Sequence, residues 1–417
     1  MLIRYTVENY KSIKDEVTLS MEAYTRDRKN KNTIFNVSRD LKILPLACIY
    51  GANASGKTNI LESMHYLRFL VTRSGHFQKK DAVEPNYFKF DDVSRDRVTR
   101  FSIDFINEGL FNYSLSVLHG KVTEESLSLN KKLLFRRTEG YLDPNVSISE
   151  EEKKKMDFIM GLTNDNSLLL SKCSESNITL VENAYNWFDE KLFFTRAGSS
   201  RKINPERMKD AISKHGSKLI DVLNRADLGI SNISVKESDD GKHPERILKF
   251  AELANAAGLE VDLRRYEFTV EHDITSDDDS RRYTLDMDDE SDGTQKMARM
   301  TVLWLDALES GGILIVDELE ACLHPHLADL LIEYITEPDL NLNGAQLMFT
   351  THDASIAKRN KFRRDQIWFT SREPTVGVTN LYSLLDYEVR PDLEFTENYL
   401  AGRFGAVPHV RKRDVRE

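Results

Sequence analysis

The residues best suited to chemistry in this sequence form one short stretch, Gly51-Ala52-Asn53-Ala54-Ser55-Gly56-Lys57-Thr58. Its glycines allow the backbone to curl so that successive N–H groups point inward at an anion. Lys57 can then reach the outer phosphates of a nucleoside triphosphate, and the Thr58 hydroxyl can bind Mg²⁺. The stretch predicts a phosphate-binding loop. Its predicted nucleotide-binding residues are Gly51, Asn53, Ser55, Gly56, Lys57, Thr58 and Asn59.

A second set of candidate residues closes an apolar run further along the chain. The run 312–318 has the pattern of a buried parallel strand that delivers Asp317 and Glu318 to the carboxyl edge of a sheet. The apolar run 43–50 predicts another such strand, which ends at the phosphate loop. We expect Asp317 to hold Mg²⁺, directly or through water, and Glu318 to polarise the water that attacks the γ-phosphate.

Two further motifs lie near the acidic strand in the sequence. Ser291 and Gly293 precede an amphipathic helix, and a hydroxyl, a glycine backbone and a helix N-terminus suit a second phosphate contact. The alternative is an ordinary helix start with Asp292 as N-cap and Gln295 three residues later. His352 follows the apolar strand 345–349 and could sense the γ-phosphate, the third catalytic assignment. The alternative there is a structural histidine.

The periodicity of the remaining sequence predicts an α/β fold. A hairpin of half-buried strands opens the chain, a helix spans 60–72 after the loop, and helical periodicity extends from about 147 through 181–194 to 223. We predict a first lobe at 1–146, a mainly helical insertion at 147–265 and a second lobe at 266–417. The segments that predict an antiparallel meander in the first lobe are 87–90, 101–106, 111–118, 125–129 and 133–137. Strand-like segments in the later part are 230–235, 266–270 and 282–287.

Composition limits the classes of function. The chain has 417 residues, of which 40% are hydrophobic and 30% charged, and its net charge is −10. The acidic balance disfavours non-specific coating of nucleic acid but leaves a local DNA-binding patch open. Three scattered cysteines indicate neither disulfides nor a zinc site, and the pair His324 and His326 lacks further metal ligands. No run suits a membrane span or an export signal, so we expect a cytoplasmic protein.

Taken together, these motifs resemble the ATP-binding-cassette ATPase head, in the branch that contains SMC, RecF and OLD-family proteins. The opening residues 8–13 resemble the first hairpin of RecF-like heads, and 317–325 match the acidic strand and dimer loop of OLD-like ATPases. The segments 226–230 and 397–408 are similar to stand-alone ATPases of bacterial phage-defence modules, such as RloA, the AbiL ATPase and the PARIS ATPase AriA. The departures are Glu290, Asp292 and Thr294 in the signature and His324 in the dimer loop, and no lobe-coupling glutamine is evident.

The resemblance implies a mechanism and partners. In such heads Ser291 and Gly293 of one subunit meet the ATP held by the loop 51–58 of another, so that a two-fold homodimer sandwiches two ATP molecules. Hydrolysis at Glu318 would then loosen or rearrange the pair. Relatives in defence modules act beside a separate effector protein, often a nuclease.

Three functions compete at this point. The favoured one is a defence ATPase that restrains or releases an effector. The alternative is a RecF-like repair or recombination ATPase that binds DNA, supported by the basic clusters 26–31 and 411–413. The third is a nuclease with its own catalytic domain, but the 65 residues after His352 are too few for one.

Overall fold

The structure is a computed structural model that describes residues 1–27, 33–81, 83, 85–196, 205–226, 228–238, 265–276, 279–359, 362–387 and 395–407. The chain forms two compact units, Met1–Ala197 with Ala307–Glu417, and Gly198–Asp306. The predicted lobes were divided at 146 and 265, and the compact units divide the chain elsewhere. As a result, the helices between residues 150 and 190 belong to the first unit.

The strands in chain order are β1 (Leu2–Glu8), β2 (Val17–Ser20), β3 (Phe35–Asn36), β4 (Lys42–Ile43), β5 (Leu46–Gly51), β6 (Thr99–Ile106), β7 (Leu110–Leu118), β8 (Lys121–Leu129), β9 (Lys132–Thr138), β10 (Tyr141–Leu142), β11 (Leu192–Arg196), β12 (Ile230–Ser238), β13 (Arg265–Ser276), β14 (Asp279–Asp286), β15 (Ile313–Asp317), β16 (Gln346–Thr351), β17 (Ile367–Arg372) and β18 (Thr379–Ser383). The helices are α1 (Lys57–Arg73), α2 (Glu150–Leu162), α3 (Leu169–Glu175), α4 (Thr179–Glu190), α5 (Pro205–Arg225), α6 (Asp292–Ser310), α7 (Leu319–Cys322), α8 (Pro325–Thr336), α9 (Ser355–Arg359) and α10 (Phe395–Leu400).

A six-stranded sheet in the first unit positions the phosphate loop and the acidic residues. Its strand order is β11-β15-β16-β5-β17-β18, and every neighbouring pair is parallel except β17 and β18. All residues of β5, β15 and β16 are buried, as expected of central strands covered on both faces. Strand β16 lies between β15 and β5, so the ends of all three meet at one edge of the sheet.

The second sheet of this unit is an antiparallel meander in the order β10-β9-β8-β7-β6-β1-β2. Helix α1 presents apolar residues at helical spacing, and the buried side chains Ile60 and Leu67 share one core with Tyr5 of the antiparallel sheet and Ile49 of the parallel sheet. Burying each such apolar side chain contributes about 1.5–3 kcal/mol to folding. The predicted α/β fold with a parallel core and an antiparallel meander is confirmed.

Two predicted segments differ from the structure. The segment 87–90 is not a strand, because the N–H of Phe88 donates to the Asn9 side chain (3.1 Å) instead of to a neighbouring strand. The helix predicted over 181–194 ends at Glu190, and residues 192–196 form the edge strand β11, which pairs with β15. A short apolar run is compatible with a helix or a strand. Here residues 192–196 form a strand because they pair with the side of β15 that β16 does not occupy.

The second unit contains α5 and a three-stranded antiparallel sheet, β12-β13-β14. The three strand-like segments predicted in this region are confirmed. Between β13 and β14, residues 277 and 278 lie outside the described residues, and Asp279 begins β14. In the described part of the chain, no helix combines the length and the apolar character needed to span a bilayer.

Candidate functional site

The phosphate loop connects β5 to α1, and both of its glycines are required by close contacts. Gly56 has φ +106°, and a Cβ atom there would lie 2.1 Å from the Thr379 Oγ1 atom. A Cβ atom at Gly51 would lie 2.3 Å from the Thr370 Oγ1 atom. No side chain caps α1 at Gly56, so the N–H groups of its first turn remain suited to an anion.

A chain of hydrogen bonds supports the back of this loop. The Asn59 amide donates to the Ser12 hydroxyl (2.5 Å), which contacts the Thr379 hydroxyl (2.7 Å), and Thr379 donates to the Ser55 carbonyl (2.9 Å). The Ser55 hydroxyl lies 2.6 Å from the hydroxyl of Thr370. Ser55 and Asn59 therefore shape the loop through their side chains. By contrast, Asn53 is exposed on it.

Lys57 is the buried positive charge of the site. Its Nζ donates to the carbonyls of Gly51 (2.8 Å) and Ala52 (3.0 Å), which holds the side chain folded back over the loop. Burial lowers the pKa of Lys57 to about 8, and the carboxylates of Glu320, Asp317 and Glu318 partly offset that effect. An anion bound at the loop would therefore interact with a Lys57 ammonium group that is poorly solvated by water.

The acidic residues lie at the end of β15, where the prediction put them. The Asp317 Oδ1 atom accepts hydrogen bonds from Thr58 (3.2 Å) and from Thr350 (2.8 Å). The Thr350 hydroxyl also accepts the N–H of Glu318 (2.7 Å), whose φ is +58°. Thr350 is buried at the end of β16, so the neighbouring strand fixes both acidic residues.

The donors at this point suit Mg²⁺. The Thr58 hydroxyl and a carboxylate oxygen of Asp317 lie 3.2 Å apart at the edge of the sheet, and both are oxygen atoms of the kind that binds Mg²⁺. Mg²⁺ is commonly held by one or two protein oxygens together with substrate phosphates and water. Within the described residues, no group of three or more His, Cys, Asp or Glu side chains forms a metal site of its own.

His352 follows β16 at the same edge and is exposed. Its backbone N–H donates to Glu320 Oε1 (2.5 Å). Although the His352 side chain as a whole is exposed, the partial loss of hydration around its ring and then the positive charge of Lys57 lower the pKa of His352, while Glu320 works in the opposite direction. The neutral form of the His352 imidazole is thus favoured near neutral pH.

Ser291 and Gly293 are exposed at the start of α6 in the second unit, whereas the phosphate loop, Asp317, Glu318 and His352 lie in the first. The Ser291 hydroxyl accepts the N–H of Thr294 (3.1 Å), and the Gln295 amide donates to the Glu290 carbonyl (3.0 Å). Ser291 therefore caps α6 as in an ordinary helix start, and only the position predicted for the N-cap, Asp292, is wrong by one residue.

Sequence reasoning missed the residues that support the site from other strands. Thr350 and Thr379 lie on strands, and Glu320 lies on α7 directly after β15; all three are far from the phosphate loop in sequence, and the folded sheet brings them to it. Thr350 was the easiest to find, because it follows an apolar run two residues before His352. Among the predicted basic clusters, residues 28–31 and 411–413 lie outside the described residues.

The chain matches a known protein family over most of its length. The model of a family described as "AAA domain, putative AbiEii toxin, Type IV TA system" matches residues 46–357. The chain belongs to this AAA family. The matched range begins at β5 and includes the phosphate loop, the acidic strand and His352. The family assignment supports the predicted nucleotide-binding domain in its coarser form, as an AAA domain. A search of curated proteins gave no match.

Several solved structures are similar to this AAA-family chain over most of their length. The SMC head domain from Thermotoga maritima has 10% identity and a TM-score of 0.40, with 93% of this chain and 99% of that one covered. An Smc head domain with an extended coiled coil, bound to the C-terminal domain of ScpA and derived from Pyrococcus furiosus, has 12% identity and a TM-score of 0.41, with 92% and 96% covered.

Proposed function

We propose that this protein binds ATP with Mg²⁺ and hydrolyses it. The observation that carries the proposal is the convergence of the Thr58 and Thr350 hydroxyls on one carboxylate oxygen of Asp317, beside the buried charge of Lys57. The loop residues Gly51, Asn53, Ser55, Gly56, Lys57, Thr58 and Asn59 would hold the triphosphate. Bound Mg²⁺ would supply Lewis-acid stabilisation of the phosphates, with Thr58 and Asp317 as its protein ligands.

The remaining residues divide the chemistry between them. Glu318 orients and polarises the attacking water, and its position is supported by the bond from its N–H to Thr350. His352 contacts the γ-phosphate side of the site, as its proximity to Lys57 supports. Ser291 and Gly293 of a second copy complete the site, so that the working form is a homodimer or a larger homo-oligomer. Their exposure at a helix N-terminus supports this role.

We further propose that the ATPase regulates a separate effector in a cytoplasmic bacterial antiphage defence system. The description of its family, with a putative toxin of a type IV toxin–antitoxin system, supports a role in a toxic module. Co-expression with the product of the neighbouring reading frame tests it. Wild type and Lys57→Ala should differ in cell survival, and equal survival with both proteins would contradict the regulatory role.

Two variants test the ATPase itself. Lys57→Ala should lose ATP binding, because the buried charge that faces the phosphates is removed. Glu318→Gln should bind ATP with near wild-type affinity and turn it over at least about 100-fold more slowly, because only the activation of water is lost. Equilibrium binding of ATP and phosphate release measure the two effects. Undiminished turnover by Glu318→Gln would remove that residue from its role.

A further inference from the structure

A positive charge lies beside the proposed metal ligands, on a strand that the sequence did not reveal. Arg196 is the last residue of the edge strand β11. The parallel register of β11 and β15 pairs Arg196 with Asp317, so both residues reach the same edge of the sheet. The guanidinium thus meets the site from the side opposite to β16.

Arg196 bridges two carboxylates. Its Nη1 lies 3.0 Å from Glu62 Oε1, and its Nε lies 3.5 Å from Asp317 Oδ2. Glu62 is on α1, one turn after Thr58, and is also paired with Lys11. Glu62 therefore anchors the guanidinium next to the carboxylate that the proposed metal needs.

Exposure distinguishes this arrangement from a structural ion pair. The Arg196 side chain is 61% exposed, whereas that of Asp317 is 8% exposed. An exposed guanidinium keeps most of its hydration, and such ion pairs are weak and easily exchanged. Asp317, by contrast, is nearly buried and is held by hydrogen bonds from Thr58 and Thr350.

We propose that Arg196 competes with the divalent cation for Asp317 and thereby makes metal binding depend on nucleotide. The proposal rests on the ATP and Mg²⁺ site proposed above. Two cations at one carboxylate weaken each other's binding. Phosphate oxygens of a nucleotide offer the guanidinium another anionic partner, so nucleotide relieves the competition. Arg196 acts as a positioning residue: it lowers the affinity of Asp317 for a metal ion that arrives before the nucleotide.

The test measures metal binding directly, with Mn²⁺ as the probe and electron paramagnetic resonance as the readout. Without nucleotide, Arg196→Ala should bind Mn²⁺ about three- to tenfold more tightly than wild type, with the difference shrinking at high salt. ADP should tighten Mn²⁺ binding in wild type more than in Arg196→Ala, and the coupling must be reciprocal. Equal Mn²⁺ affinities and equal coupling in the two proteins would overturn the proposal.

Two variants serve as controls. Arg100 is a matched arginine, 58% exposed and paired with Glu8 at 2.8 Å on the antiparallel sheet. Arg100→Ala should bind Mn²⁺ as wild type does, and tightening by this variant would attribute the effect to overall charge and overturn the proposal. Arg196→Lys keeps the charge and should stay closer to wild type than Arg196→Ala.

The failure of this inference is distinguishable from that of the ATPase proposal. If wild type binds ATP and Lys57→Ala does not, but Arg196→Ala leaves Mn²⁺ binding unchanged, only the competition is wrong. If wild type binds no nucleotide at all, the proposed function is wrong and the competition, which rests on it, is wrong as well.

Discussion

At the scale of single residues, Thr350 links the two acidic side chains to the strand beside them. Its hydroxyl donates to Asp317 and accepts the N–H of Glu318, and the side chain is fully buried. A buried hydroxyl that serves a carboxylate and a backbone donor at once leaves both without that partner when it is removed. The hydroxyl therefore contributes to folding and to the geometry of the site together.

Thr350→Val removes the hydroxyl but keeps the volume of the side chain, since threonine and valine have nearly the same shape. We expect the free energy of unfolding to fall by about 1–3 kcal/mol. Turnover of ATP should fall about 10- to 100-fold, as for other residues that orient metal ligands. Urea unfolding and phosphate release measure the two effects. Thr350→Ser keeps the hydroxyl and should retain most of the turnover; a Thr350→Val protein within twofold of wild type would show that the hydroxyl orients nothing.

At the scale of elements, the central strands were predictable because their signals are local. The phosphate loop between β5 and α1, the acidic end of β15 and the histidine after β16 each combine an apolar run with polar residues at its end. Because the ends of parallel strands meet at one edge of the sheet, the sequence predicts Lys57, Asp317 and His352 at the same edge.

The elements that were missed depend on contacts far apart in sequence. Strand β11 continues an amphipathic helical pattern, and its pairing with β15 more than a hundred residues later made it a strand. Gln346, at the start of β16, shows the same dependence. This buried side chain accepts the N–H of Leu2 (2.6 Å) and donates to the carbonyls of Leu2 (3.1 Å) and Leu44 (3.0 Å). No local sequence pattern predicts that a glutamine will connect the antiparallel sheet to the parallel one.

At the scale of the whole molecule, residues 395–407 pack against β5, the strand that leads into the phosphate loop. The Tyr399 ring lies 5.3 Å from that of Tyr50, and the Phe404 ring lies 5.1 Å from that of Phe369. The hydroxyl of Tyr382 donates to the Phe404 carbonyl (2.6 Å). The segment 397–408, which resembles stand-alone ATPases, therefore packs against β5 and β17 as far as residue 407.

The two compact units carry different parts of the proposed site. The loop 51–58, Asp317, Glu318 and His352 belong to the first unit, and Ser291 with Gly293 belongs to the second. If a second copy supplies Ser291, a defect in the loop of one copy and a defect in the Ser291 of another should complement each other. Variants with one defect each can therefore distinguish a shared site from a site within one chain.

The most direct measurement is ATP turnover by an equimolar mixture of Lys57→Ala and Ser291→Arg proteins, each inactive alone. Ser291→Arg should still bind ATP, because its own loop is intact. The mixture should recover about one quarter of the wild-type rate, because half of randomly formed pairs are mixed and each mixed pair has one intact site. A mixture that forms mixed pairs but stays as inactive as its two components would contradict a site shared between copies.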